Sequence, residues 1–238
     1  DYPSLDHIEL VLSDADGRNT LKRWTLGDHH PYSQRPMASR SFAVPLDLHA
    51  GQRYRLTGLV RTTGSMILPL RLSRPEAFRH TESGEGLLQG WLAGAMFCLL
   101  MYALVQGRAT REWAFGWFAL NVMGTTLFFV SYQGLGLEHG WGDNAWASEK
   151  MTMLGGLVGL GSAVLYLDSV LELDTRSRWL SRTLRAMSLA LLAVFVLFAV
   201  GLVGYRTAHF VNVMLSPAPL ILVLPTAWRR ARAGDSMC

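Results

Sequence analysis

Apolar and polar residues alternate along the first third of the chain, and long unbroken apolar runs fill the rest. His7-Ile8-Glu9-Leu10-Val11-Leu12 has the two-residue period of a half-buried strand. Asp14-Ala15-Asp16-Gly17 reads as a turn with Gly17 at positive φ. Leu21–Leu26, which contains Trp24, is a second strand, and Gly27-Asp28-His29-His30-Pro31 then breaks regular structure. Ser41–Leu48 is a third strand, with Pro45 favouring an edge or a bulge. In Arg53–Thr63, Tyr54, Leu56, Gly58 and Val60 share one face. Thr63-Gly64-Ser65 predicts a hairpin into a last strand, Met66–Ser73. Short strands with Gly-rich turns at this spacing predict part of an antiparallel β-sandwich or jelly roll.

The pattern changes at about Glu85. Leu87–Val105 is uncharged and about 20 residues long, enough for an α-helix to cross the hydrocarbon core of a bilayer. Four further spans follow at Ala114–Tyr132, Met151–Leu171, Leu189–Tyr205 and Val211–Trp228. Pro217, Pro219 and Pro225 make the last a kinked helix, with a re-entrant segment as the alternative. The fold class is therefore mixed: a β-domain over residues 1–85, then a helical transmembrane domain over residues 86–238 of about five spans. The stretch Glu82–Gly86 reads as a short connection between them.

Charge orients the spans. Arg108 and Arg111 lie in the first loop, Arg176, Arg178, Arg182 and Arg185 in the third, and Arg229, Arg230 and Arg232 in the tail. Glu138, Asp143 and Glu149 sit in the second loop. Arginine on alternate loops puts those loops and the tail in the cytoplasm and the β-domain outside, periplasmic in a Gram-negative cell. The net charge of +4 collects at these loops rather than in a basic, aromatic-interleaved stripe, so a nucleic-acid partner is not expected. Cys98 lies inside a span and Cys238 is the last residue, so no disulfide framework is expected. The chain starts at Asp1, without Met, in the approach to a strand, and reads as a piece of a longer protein.

Few residues point to chemistry. Asp28, His29 and His30 would be the only metal candidates. Adjacent histidines diverge in an extended chain and no second pair follows, so a solvated turn is the better reading and no metal or cofactor is expected. Asp168 lies near the cytoplasmic end of the third span. It reads as an interfacial, water-reached carboxylate rather than a proton relay, since the other spans offer no charged partner. Gly155 and Gly159 have the GxxxG spacing of close helix packing, within one bundle or, alternatively, between the chains of a homodimer. For ligand contact the candidates are Trp24, Tyr32, Arg35 and Arg53: aromatic rings stack on sugars and arginine forks bind carboxylates. Trp24 as core and Arg35 as a loop pin are the competing readings. No Ser-His-Asp set or phosphate loop appears, so catalysis is not expected in this segment.

The run YPSLDHIEL, then GDHHPYSQRP, then RTTGSMILPLRL ending in EAF, resembles the extracellular sensor domain of bacterial 7TM receptors with diverse intracellular signalling modules. The lead-in GEGLLQGWLAGAMF is similar to that family's first membrane helix. The most specific part is Gly27-Asp28 followed by Arg35-Pro36 and the two closing strands. The resemblance implies a jelly roll similar to carbohydrate-binding modules, seven helices, and a cytoplasmic output domain in the same chain, such as a diguanylate cyclase or histidine kinase. This sequence carries about five spans and no output domain. The implied role is a receptor input module in the bacterial inner membrane, with the lipid bilayer and a small-molecule ligand, a carbohydrate or carboxylate, as partners. A transporter or channel component with an accessory β-domain is the alternative. It would place polar residues at mid-depth in the helices, and these are scarce.

Overall fold

A computed structural model describes residues 5, 7–27, 30–39, 41–62, 69–173 and 177–233, with backbone alone for 226–233. It contains strands β1 (His7–Asp14), β2 (Thr20–Leu26) and β3 (Tyr54–Arg61), and helices α1 (Pro75–Thr110), α2 (Trp113–Tyr132), α3 (Ala145–Val170), α4 (Arg178–Val200), α5 (Tyr205–Leu215) and α6 (Ala218–Ala233). The chain divides into two compact units: residues 1–88 with 129–152, and residues 89–128 with 153–238.

In the first unit β1 lies between β2 and β3 in an antiparallel sheet, with Leu10 opposite Trp24 on one side and Gly58 on the other. The alternation read in β1 is the one observed: Ile8, Leu10 and Leu12 point into a core completed by Leu5, Trp24 and Leu26. Full burial of each such side chain contributes about 1.5–3 kcal/mol. Asp14 accepts the amides of Arg18 and Asn19, and Gly17 takes φ +73°, closing the β1–β2 turn as expected.

One strand expectation fails, and a second fails over the part of it that is described. Ser41–Leu48 makes no ladder, although Phe42, Val44 and Leu46 still pack against the core. The residues face inward in alternation because hydrophobic burial asks for it, yet no strand edge is paired with them. In Met66–Ser73, Pro69–Ser73 forms no strand, while the proposed hairpin turn and 66–68 lie outside the described residues, as do Asp28, His29 and Arg176. One three-stranded sheet is thus what the described residues form.

Among the described residues five segments are long and apolar enough to cross a membrane: Pro75–Thr110, Trp113–Tyr132, Ala145–Val170, Arg178–Val200 and Tyr205–Pro225. The last is α5 continued into α6 through a break at Ser216-Pro217, a kinked helix with Pro225 inside. α1 starts well before Leu87, and Glu82–Gly86 is helical rather than a connecting loop. Pro75 fits the first helical position, where no amide partner is lost, and Glu76 favours the positive end of the helix dipole. At 36 residues, α1 is about 54 Å long against a hydrocarbon core of roughly 30 Å. Only 6% of its apolar window is buried, against 50% for α3.

In the second unit α2 and α3 meet backbone to backbone. A Cβ on Gly124 would sit 2.5 Å from the Gly159 nitrogen, and one on Gly155 would sit 2.5 Å from the Phe128 nitrogen. Asn121 donates to the Gly159 carbonyl at 2.8 Å across the same seam. The glycine spacing of α3 is thus filled by α2 of the same chain. Asp168 differs from expectation: it is buried, and Arg185 Nε of α4 donates to its Oδ2 at 2.8 Å. The reason is that α4 begins at Arg178, more than two turns before the apolar run, so Arg185 belongs to a helix and not a loop.

Gly124→Ala forces the α2–α3 seam apart and lowers the stability of the detergent-solubilised full chain by about 1–3 kcal/mol, read as an earlier thermal melt; an unchanged melt would contradict the contact. Arg185→Leu leaves the Asp168 carboxylate buried without its charge partner and costs about 2 kcal/mol, tempered because the Arg185 side chain is half exposed. Asp168→Asn in the same background recovers most of that loss if the cost is electrostatic.

Candidate functional site

The polar centre of the first unit is the loop after β2. Tyr32–Gln34 forms one 3₁₀ turn, closed by the Arg35 amide donating to the Tyr32 carbonyl at 3.1 Å. The Arg35 guanidinium lies between two rings, 4.9 Å from the Tyr32 centroid and 4.7 Å from that of Phe42. Its Nη1 donates to the Ser39 carbonyl at 3.0 Å. A planar cation between two aromatic faces gains cation–π attraction on both sides, so this arginine fixes the shape of the loop. Ser39, itself buried, donates its hydroxyl to Glu82 of α1 and ties the loop to that helix.

The other wall comes from the segment joining α2 to α3. Leu137–Trp141 forms a single π-helical turn, a rare geometry found often at functional sites. Asn144 caps α3, its Oδ1 accepting the Ala147 amide at 3.2 Å. The two walls are stitched by two bonds: the Tyr32 amide donates to the Gly142 carbonyl at 3.1 Å, and the Ser33 amide to Asp143 Oδ1 at 3.0 Å. Only glycine fits at 142, since a Cβ there would lie 2.6 Å from the Tyr32 Cβ. Between the walls is a cavity of about 450 Å³, lined by Tyr32, Glu138, His139, Trp141, Asp143 and Asn144 among others. Two aromatic rings, two carboxylates and an amide offer stacking faces and hydrogen-bond acceptors.

Electrostatics mark the same place. Burial pushes the Tyr32 phenol above its ordinary value of 10.0; the negative charges of Glu138 and Glu82 add to the rise and Arg35 opposes it. The phenolic oxygen is buried and makes no hydrogen bond in the structure. The Ser33 amide holds the Asp143 carboxyl below its ordinary 3.8, so that contact is fully present above ordinary carboxylate values and weakens only as pH falls through the lowered one.

Of the four candidates, Tyr32 and Arg35 are brought together. Trp24 stands in the core of the sheet, 6% exposed, with Lys22 Nζ 5.4 Å from its ring centroid. Arg53 is exposed ahead of β3, outside this group. His30 lies against His7, with Nε2 to Nδ1 at 3.3 Å. Sequence reasoning missed Phe42, Ser39, Glu82, Trp141 and Gly142. From the sequence, Glu138 and Asp143 are loop charges alone. The run Gly140-Trp141-Gly142-Asp143-Asn144 was the available signal: an aromatic residue held between glycines and followed by polar caps.

A polar segment with a β-sheet, followed by helices able to cross a bilayer, is the layout of a multi-pass membrane protein with an extracytoplasmic domain. Residues 85–236 match the family model described as 7TM diverse intracellular signalling, and residues 1–74 match that described as 7TMR-DISM extracellular 2. The chain belongs to the 7TMR-DISM family of receptors and is a receptor input segment. No curated protein and no solved structure matches it.

The raised Tyr32 pKa has a definite sign. Stability tied to the neutral phenol is fully present below pH 10 and is lost as pH rises through the folded-state value. In an ultraviolet phenolate titration of the full chain, the wild-type minus Tyr32→Phe difference is expected to have its midpoint above 10. A midpoint at or below 10 would remove the buried phenol from this description.

Proposed function

We propose that this chain is the input module of a bacterial signalling receptor that senses a neutral, hydroxyl-rich small molecule, of the carbohydrate class, in the cavity between the Tyr32 turn and the α2–α3 segment. The observation that carries this reading is the composition of that cavity. Trp141 and Tyr32 offer faces on which a sugar ring stacks, and Glu138, Asp143 and Asn144 offer acceptors for its hydroxyls. Two carboxylates on one wall disfavour an anionic ligand, so the carboxylate option read from Arg35 and Arg53 gives way. Arg35 then acts as a positioning residue that holds Tyr32, while Trp24 and Arg53 lie away from the cavity wall.

Residues 1–85 serve as the extracytoplasmic sensor and residues 86–238 as the transmembrane domain. The arginine-rich loops and the C-terminal end face the cytoplasm of an inner membrane, and a further part of the parent chain, such as a diguanylate cyclase or histidine kinase, is the output. A ligand shifts such a receptor only by its differential affinity for two states. The bonds from Tyr32 to Gly142 and from Ser33 to Asp143 give it the means, because they join residues of the extracellular family model to residues of the 7TM model.

Thermal melting of the full chain in nanodiscs, screened against sugars and small carboxylates, tests this. A sugar at a hundred times its Kd raises stability by about 2.7 kcal/mol. The shift is expected to vanish in Trp141→Ala and to fall at least tenfold in apparent affinity in Asp143→Asn. A response to carboxylates but not to sugars would overturn the ligand class. A sugar response indifferent to Trp141 would overturn the site.

A further inference from the structure

A second cavity, of about 410 Å³, lies among α2, α3 and α4 in the helical unit. Its walls are almost wholly apolar: Trp117 from α2, Val158, Gly161 and Leu165 from α3, Leu192 and Phe195 from α4. The two hydroxyls that reach it make no demand on an occupant. Ser162 donates to the Val158 carbonyl, and Ser188 donates to the Gly161 carbonyl at 3.1 Å. The interior therefore suits a hydrocarbon chain.

One end of the cavity is polar. Arg185 lines it, with its side chain half exposed. Arg178, Arg182 and Arg185 follow one another at helical spacings of four and three along α4, so they form a ladder on one face, and all three are exposed. The same face continues three residues on as Ser188, then Leu192 and Phe195, the wall of the cavity. Among the described residues one of the three cations, Arg185, meets Asp168, and Arg178 and Arg182 add two further positive charges beside the apolar slot. This order along a single helix, arginines then hydrocarbon wall, is complementary to an amphipath with an anionic head. Basic pockets between membrane helices on the arginine-bearing side are suited to anionic lipid headgroups.

We propose that this slot binds one acyl chain of an anionic phospholipid from the surrounding leaflet, with its phosphate on the Arg178–Arg182–Arg185 ladder. The site is separate from the sugar cavity and does not depend on that reading. The lipid would lie against the partner of Asp168, so leaflet composition would bear on the α3–α4 contact.

Trp117 in the wall supplies the readout. The full chain is reconstituted in phosphatidylcholine vesicles containing a rising fraction of phosphatidylglycerol brominated on its acyl chains, and Trp117 quenching is taken as wild type minus Trp117→Phe. Quenching is expected to saturate at a low fraction of the brominated anionic lipid, and to need a several-fold higher fraction when brominated phosphatidylcholine carries the label. Arg182→Gln, on the exposed surface, should raise the half-saturating fraction about fivefold. Gly161→Leu should abolish the preference by filling the slot, since a Cβ at 161 meets nothing nearer than 3.8 Å. Equal quenching by the two lipids means ordinary solvation by the bilayer and overturns the proposal. So does an unchanged half-saturating fraction in Arg182→Gln, whatever the fate of Gly161→Leu. Brominated fatty acid matching the phospholipid at the same fraction would show that the source is a free chain, and would overturn the assignment to a leaflet lipid.

Discussion

Helices in a bilayer gain nothing from hiding apolar side chains from one another, because lipid tails are as apolar as leucine. What holds this bundle is therefore contact distance. At Gly124 and Gly155 two backbones come so near that no Cβ can stand between them, and Asn121 adds a hydrogen bond into the same seam at Gly159. With α3 fixed on α2, its other faces are positioned for α4. There Ser188 bonds to the Gly161 carbonyl, and Asp168 meets Arg185. A carboxylate at this depth is tolerable only because the cation stands opposite, and the cation stands there only because α4 starts early enough to carry it.

The outer site obeys a different constraint. In water the strand core can form by burial, and six side chains on β1, β2 and the residue before them do so. The loop after β2 has no ladder to support it. Its shape comes from one guanidinium between two rings and from backbone bonds to a segment 110 residues away. Glycine at 142 is the condition for that meeting, as glycine at 124 is for the helices.

This difference explains what the sequence disclosed. Strands with a ladder partner were legible from their two-residue period, and spans were legible from length and absence of charge. Ser41–Leu48 misled because its alternation is real: Phe42, Val44 and Leu46 do turn inward, but inward packing does not require a ladder. The first turns of α1 and α4 were missed for a common reason. Pro75–Gly86 and Arg178–Met187 are rich in charge, and charge was taken as the sign of a loop, while helix formation needs only suitable residues and a start. Tyr32 and Arg35 could be picked out locally. Their partners Phe42, Glu82, Trp141 and Gly142 could not, because each contact is made by the tertiary fold and leaves no periodic trace.

α1 stands apart from the other helices. It contributes one buried residue among those described, Ala103, from a helix of 36, and its contacts include Met96 accepting from Thr126 and Gly107 close against Phe115. Near its start it carries Glu82, the acceptor of the Ser39 hydroxyl from the loop that Arg35 shapes. In a two-state receptor the gap between states must be small enough for one ligand to reverse, a few kcal/mol at most. The Ser39–Glu82 bond makes the loop that Arg35 shapes and the first membrane-crossing helix parts of one hydrogen-bonded run.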